Sequence, residues 1–184
     1  MLKDLEVAYV SVDIESAGPI PGRYAMLSLG ACLVADPSTA IYLEFKPETM
    51  DFVPEALAVS QLSLEDLVRT GLPLQTGMAR LAEWLHASVP AGQSPILVAF
   101  NAPFDWSFVN YAFHETLGHN PFGYAALDIK AFAMGLTGSR WQDTSFDTLT
   151  RKLLASRQLT HHALQDALDQ AEVFHELLQL ARKK

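Results

Sequence analysis

Asp13 and Glu15 stand two residues apart in Val12-Asp13-Ile14-Glu15, at the end of the β-branched and aromatic run Val7-Ala8-Tyr9-Val10-Ser11-Val12. A strand alternates its side chains with a period of two, so both carboxylates share one face and Ile14 the other. Neighbouring carboxylates repel unless a cation sits between them, and Mg²⁺ is held by a few carboxylates together with waters and substrate phosphates. A solvated strand end is the competing reading. A third acid closes Phe100-Asn101-Ala102-Pro103-Phe104-Asp105, where an apolar strand leads into a helix. Pro103 near the first turn puts Asp105 in that turn, close to the end of the sheet, although an acid there also complements the helix dipole. A fourth opens the last long helical pattern in His161-His162-Ala163-Leu164-Gln165-Asp166. Thr160 is the expected N-cap. Ala163, Ala167, Ala171 and Phe174 form a stripe that permits close approach to a sheet, with Asp166 and Gln170 on the stripe beside it. Asp166 would then point at the end of the first strand. The alternative leaves Asp166 and Asp169 as surface acids. Asp128, after Ala125-Ala126-Leu127, is either a strand-end acid or the cap of a following helix.

Other chemistry finds no support. His86, His114, His119 and His175 have no ligand-like spacing, and Ser11, Ser16 and Ser107 lack a G-x-S-x-G setting. No phosphate-binding Gly-rich loop occurs. The one cysteine, Cys32, excludes an intrachain disulfide framework and a Cys-based zinc site, and fits a reducing compartment.

The elements that must position these acids read as follows. Strands cover residues 7–12, 26–34 and 40–45, and the turn chemistry of Asp36-Pro37-Ser38 joins the second and third as an antiparallel hairpin. Ser63 with Asp66 three residues on marks a helix start, followed by Leu64, Leu67 and Val68 at helical spacing. A longer helix spans residues 73–88, with Met78, Leu81, Trp84 and Leu85 on one face. A buried strand at 95–100 leads into a helix at 103–117, residues 125–128 make a short strand, and helices at 146–154 and 162–182 complete the chain. The order predicts a mixed α/β sheet with an antiparallel edge hairpin and helices on both faces.

The 184 residues, 49% hydrophobic and 18% charged, suit one domain over 1–184 with one core, and exclude disordered and fibrous classes. No apolar run approaches the about 18 residues of a membrane helix, and the acids near Met1 do not resemble a signal peptide, so a soluble cytoplasmic protein without membrane partners is expected. A net charge of −8 argues against a sequence-independent nucleic-acid binder. That objection fails if the acids converge on divalent cations, which reverse the local field.

D-x-E on the first strand, N-A-x-F-D at a later strand-to-helix junction and H-x-A-x-x-D at the last helix, in that order, resemble the DEDD exonuclease superfamily in its histidine subtype. These are the DnaQ-like and RNase T-like enzymes of ribonuclease H-like fold. The resemblance runs from Asp13 to about Phe174. In the first motif Ser16 replaces a threonine, in the second Phe100 stands where many members have histidine, and in the third the spacing selects His161 over His162. It implies that Asp13, Glu15, Asp105 and Asp166 bind two divalent cations, Mg²⁺ or Mn²⁺. These would sit about 3.5–4 Å apart, as in other two-metal sites. It further implies that His161 takes the proton of the attacking water, that cleavage runs 3′ to 5′, and that nucleoside 5′-monophosphates leave.

In such enzymes the terminal nucleotide is gripped beside the D-x-E strand, which makes Ser16, Ala17 and Asn101 candidate contacts. Phe104, Trp106 and Phe108 offer stacking faces for bases, although helical spacing puts Phe104 and Phe108 on one stripe and at least one of them in the core. Arg140, Arg151, Lys152 and Arg157 against Asp143 and Asp147 make a basic segment that could guide the phosphate chain. The expected substrates are 3′ ends of single-stranded or short RNA or DNA, with RNA slightly preferred. A homodimer is expected by analogy with RNase T-like relatives. The alternatives are a nuclease-fold module that binds without cutting, and a metal phosphohydrolase of small esters.

Overall fold

In the computed structural model, which describes residues 7–154 and 160–183, the first strand is longer than its apolar run: β1 spans Val7–Ser16 and carries Asp13 and Glu15 inside it. β2 (Met26–Leu33), buried along its whole length, pairs antiparallel with β1, placing Gly30 opposite Asp13 and Ser28 opposite Glu15. β3 (Asp36–Glu44) pairs antiparallel with β2 as expected. The hairpin reverses earlier than its turn residues suggest, because Asp36 already pairs with Leu33. Its carboxylate collects the Ser38 N–H and the Ser38 and Thr39 hydroxyls at the start of β3. β4 (Ser94–Ala99) runs parallel to β1, and the two-residue β5 (Leu127–Asp128) runs parallel to β4, giving a sheet ordered β3-β2-β1-β4-β5.

Seven α-helices are described: α1 (Pro54–Ser60), α2 (Leu64–Thr70), α3 (Leu74–Ser88), α4 (Ala102–Leu117), α5 (Ile129–Thr137), α6 (Phe146–Leu153) and α7 (Ala163–Arg182). The Ser63 hydroxyl caps α2 through the Asp66 N–H at 3.2 Å, as its sequence pattern predicts. α1 and α5 were not expected. Asp128 N-caps α5 through the Ala131 N–H at 2.6 Å, so the capping role of Asp128 is real. The N-cap of α7 is His162 and not Thr160. Thr160 lies two residues before that cap, where its N–H and hydroxyl donate to Asp166 and its hydroxyl oxygen accepts the His162 N–H.

Apolar residues build a core on each sheet face instead of the single core expected, because the sheet separates them, with a smaller cluster of Ala17, Ala25, Leu27, Leu64 and Leu67 beside them. Val10, Val12, Ile14 and Leu29 pack with Met78, Leu81, Phe108 and Phe113 of α3 and α4. Cys32 and Val98 pack with Ile129, Phe146, Phe174 and Leu177 of α5, α6 and α7. Ala163, Ala167 and Ala171 are fully buried, as the small-residue stripe requires. The closest approach is at Gly30, where a Cβ would lie 2.3 Å from the Leu164 backbone. Residues directly opposite in an antiparallel pair point to the same face. The bare backbone of Gly30 therefore lets the first turn of α7 settle beside Asp13. No helix among the described residues is long and apolar enough to cross a membrane.

Candidate active site

β1 outruns its parallel partner: the ladder with β4 ends at Ser11 and Val98, and β1 continues to Ser16. On that free length the Ile14 N–H is taken by Asp105 Oδ1 at 3.1 Å, which docks the first turn of α4 against β1. Asp128 Oδ2 accepts the Ala102 N–H at 2.8 Å, so one carboxylate ties the starts of α4 and α5 together. Across the strand, Asp13 Oδ1 accepts from Gln170 Nε2 of α7 at 2.6 Å. Asp166 is gripped by its own pre-helix loop: Oδ1 accepts the Thr160 N–H at 2.7 Å and hydroxyl at 2.9 Å, and Oδ2 accepts the His161 N–H at 2.8 Å. Asp105 and Asp166 are 4% and 2% exposed. Asp169, which could have been a surface acid, is buried as well, with Gln165 Nε2 donating to it at 3.1 Å.

Burial and mutual repulsion dominate the electrostatics. The Asp13 carboxyl is pushed well above the usual range by burial, and further by Asp105, Asp166 and Glu15, with Gln170 opposing. Burial, with Asp166 beside it, raises Glu15 to about 7. Burial raises Asp105 to about 8 against the Ile14 hydrogen bond. Among the described residues no Lys or Arg pairs with any of these acids. Concentrated, uncompensated carboxylate oxygen is the donor set that hard divalent cations take. One ligand atom each from Glu15, His161 and Asp166 lie within 4.8 Å of one another, close enough to share an ion. The residues present fit divalent cations.

The adjacent histidines do different work. His162 stacks on Tyr42, with ring centroids 4.7 Å apart at 23°, and its Nδ1 caps α7 through the Gln165 N–H at 3.5 Å. His161 is exposed, has a left-handed φ of 57°, and its N–H is held by Asp166. That conformation costs a β-carbon-bearing residue roughly 1–2 kcal/mol. A hydrogen bond to a carboxylate, worth about 1.5–3 kcal/mol, offsets it. The spacing that favoured His161 over His162 thus selects the histidine beside the acids.

The expected nucleotide contacts divide. Asn101 is exposed, with φ 72°, at the N-terminus of α4, and Phe104 is half-buried. Phe108 is 2% exposed and packs in the core with its ring 5.3 Å from that of Phe104, so it offers no stacking face. Ala17 is fully buried, its N–H bonded to Ala25 and its carbonyl to Val53, which corrects its reading as a contact. Ser16 is also buried and donates its hydroxyl to the Gly18 carbonyl at 2.8 Å. In the basic segment, Arg140 is paired with Asp143 at 2.9 Å and Arg151 donates to the Asp147 carbonyl, while Arg157 lies outside the described residues. Gln170, Gly30 and Tyr42 had no assigned role from sequence. Gln170 was placed beside Asp166 by helical spacing, and Gly30 interrupts a strand, a pattern that marks close backbone approach.

No protein-family model matches the chain. A curated Escherichia coli protein named 3′-5′ DNA exonuclease Cap18 is 44% identical over 184 residues, which cover 100% of this chain and 98% of that one. Among solved structures, the nuclease domain of 3′hExo, a DEDDh family member bound to rAMP, matches with a TM-score of 0.76 at 12% identity, over 96% of this chain and 94% of that chain. The zinc-bound E. coli ExoI–ssDNA complex matches with a TM-score of 0.72 at 14% identity, over 97% of this chain and 42% of that chain. These structural matches show the ribonuclease H-like nuclease fold. Full-length identity to an exonuclease, on that fold, shows that the chain belongs to the DEDDh family of 3′-5′ exonucleases.

Proposed function

We propose that this 3′-5′ exonuclease is metal-dependent and degrades single-stranded DNA from its 3′ end, releasing nucleoside 5′-monophosphates. The observation that carries the reading is the convergence of Asp13, Glu15, Asp105 and Asp166 at the end of β1, with His161 beside Glu15 and Asp166 and no Lys or Arg paired with these acids among the described residues. Those four acids would hold two divalent cations, Mg²⁺ or Mn²⁺. When bound, the cations supply Lewis acidity to the entering and departing oxygens of an in-line displacement. His161 takes the proton of the attacking water at an imidazole nitrogen, from a loop held to the site by its N–H bond to Asp166. Asp105, fastened to the Ile14 N–H, keeps α4 in register, and Asn101 and Phe104 at the start of that helix face the terminal nucleotide.

DNA is preferred to RNA here because the full-length relative at 44% identity is named a DNA exonuclease. That outweighs the slight lean toward RNA drawn from the sequence. The test is a denaturing-gel time course with 5′-labelled single-stranded DNA and RNA of one sequence, in Mg²⁺, in Mn²⁺ and in chelator, with Asp13→Ala as control. A ladder shortening from the 3′ end, faster on DNA and absent in chelator and in the variant, is expected. Intact oligonucleotide bound by folded protein would overturn the proposal in favour of a non-cutting module. Phosphate released from a mononucleotide without oligonucleotide cleavage would point instead to a phosphohydrolase.

A further inference from the structure

Gln170 lies on α7 one turn beyond Asp166 and is 1% exposed. Its Oε1 accepts the Phe100 N–H at 2.8 Å and its Nε2 donates to Asp13 Oδ1 at 2.6 Å. A backbone N–H can only donate, so the amide has one orientation: oxygen toward Phe100 and nitrogen toward Asp13. Phe100 directly follows the end of β4 at Ala99, where the chain turns through left-handed Asn101 into α4. One buried side chain thus spans the strand bearing Asp13, the junction leading to Asp105, and the helix bearing Asp166. It also engages one named oxygen of Asp13 and leaves Oδ2 outside that bond. A leucine here could pack, but it could neither donate to Asp13 nor accept from Phe100.

We propose that Gln170 is a positioning residue for the cation site: it sets the orientation of the Asp13 carboxylate and locks it to the β4–α4 junction, so that the acids of three separate elements meet the cations in one geometry. This rests on the reading of Asp13 as a metal ligand. Groups that orient ligands from behind typically contribute about 10–100-fold to metal affinity or activity.

The experiment is calorimetric titration of Mn²⁺ into wild type, Asp13→Ala and Gln170→Leu, with thermal melting in chelator and kcat and KM on single-stranded DNA. Gln170→Leu should melt cooperatively, bind Mn²⁺ about tenfold or more weakly, and lose kcat with KM for DNA within about twofold. Wild-type Mn²⁺ affinity in the folded variant, or a lowered melting midpoint with unchanged affinity per folded molecule, would overturn the proposal and leave Gln170 a structural residue. Should the variant not fold, the side-chain amide NMR signals of Gln170 in wild type decide: a shift on Mg²⁺ addition is expected, and signals indifferent to Mg²⁺ refute it. Failure of the wild type itself to bind Mn²⁺ would strike the metal reading, a result distinct from equal binding by wild type and variant.

Discussion

At the residue scale, the site works against its own stability. Asp105 is buried among other acids, and burial raises its carboxyl to about 8. Asparagine has the same shape, and its oxygen can keep the Ile14 N–H bond while the charge is gone. Asp105→Asn should therefore raise the melting midpoint in chelator by a few degrees near neutral pH, because folding no longer has to hold a proton on a buried acid that the unfolded chain has released, and lower exonuclease turnover at least about 100-fold. Scanning fluorimetry and the labelled-DNA assay read both, and an unchanged turnover would remove Asp105 from the chemistry. The two histidines separate in the opposite sense. His161→Ala should lose about 10²–10⁴-fold in kcat with little change in melting. His162→Ala should lose an N-cap, about 1 kcal/mol, and the Tyr42 stack, with activity per folded molecule retained. Loss of turnover in His162→Ala with His161→Ala unaffected would show that spacing had selected the wrong histidine.

At the element scale, what was legible depended on whether a residue's role is local. The D-x-E pair, the Ser63 cap and the Ala163–Ala167–Ala171 stripe state their geometry within one strand or one turn, and the structure has them as read. β1 was drawn short because its site acids interrupt the apolar run by which a strand is recognised. α1 has Val53 at its N-cap and no side-chain cap to announce its start, and α5, Ile129 to Thr137, has too few polar residues to set off one face from the other. Burial of Phe108 and Ala17 depends on what packs across from them, which no local pattern carries. Gly30 shows the same limit: its meaning lies in a helix more than 130 residues away. Gly30→Ala should push the first turn of α7 off β2, cost at least about 1–3 kcal/mol, and reduce activity beyond the stability loss because His161 and Asp166 ride on that turn. Gly135→Ala in α5, where a Cβ meets nothing within 4 Å, is the matched control and should stabilise by roughly 0.5–1 kcal/mol. Denaturant melts of the two variants, with activity normalised to folded protein, test the pair.

At the scale of the whole molecule, the acid cluster reverses the usual dependence of stability on pH. A surface acid such as Asp36 or Asp143, held low by hydrogen bonds from its neighbours, loses stabilisation only as pH falls toward its lowered pKa. Glu15 and Asp105 behave oppositely, being raised to about 7 and about 8 by burial. Unfolded, both release their protons near pH 4. Between there and pH 8 the folded protein holds protons that the unfolded chain has lost, so stability in chelator falls as pH rises through that window. On the proposed reading, divalent cations compete for the same oxygens and take the charge that folding buries. Their stabilising effect must therefore grow over the same range, and with it the capacity of a protein of net charge −8 to hold a polyanion at one point on its surface. Melting curves at pH 5 and pH 8, with EDTA and with excess Mg²⁺, should show a lower midpoint at pH 8 in EDTA and a larger Mg²⁺-induced rise there than at pH 5. A midpoint in EDTA that is flat or rises over this interval would mean that the cluster is compensated by charges of the protein's own.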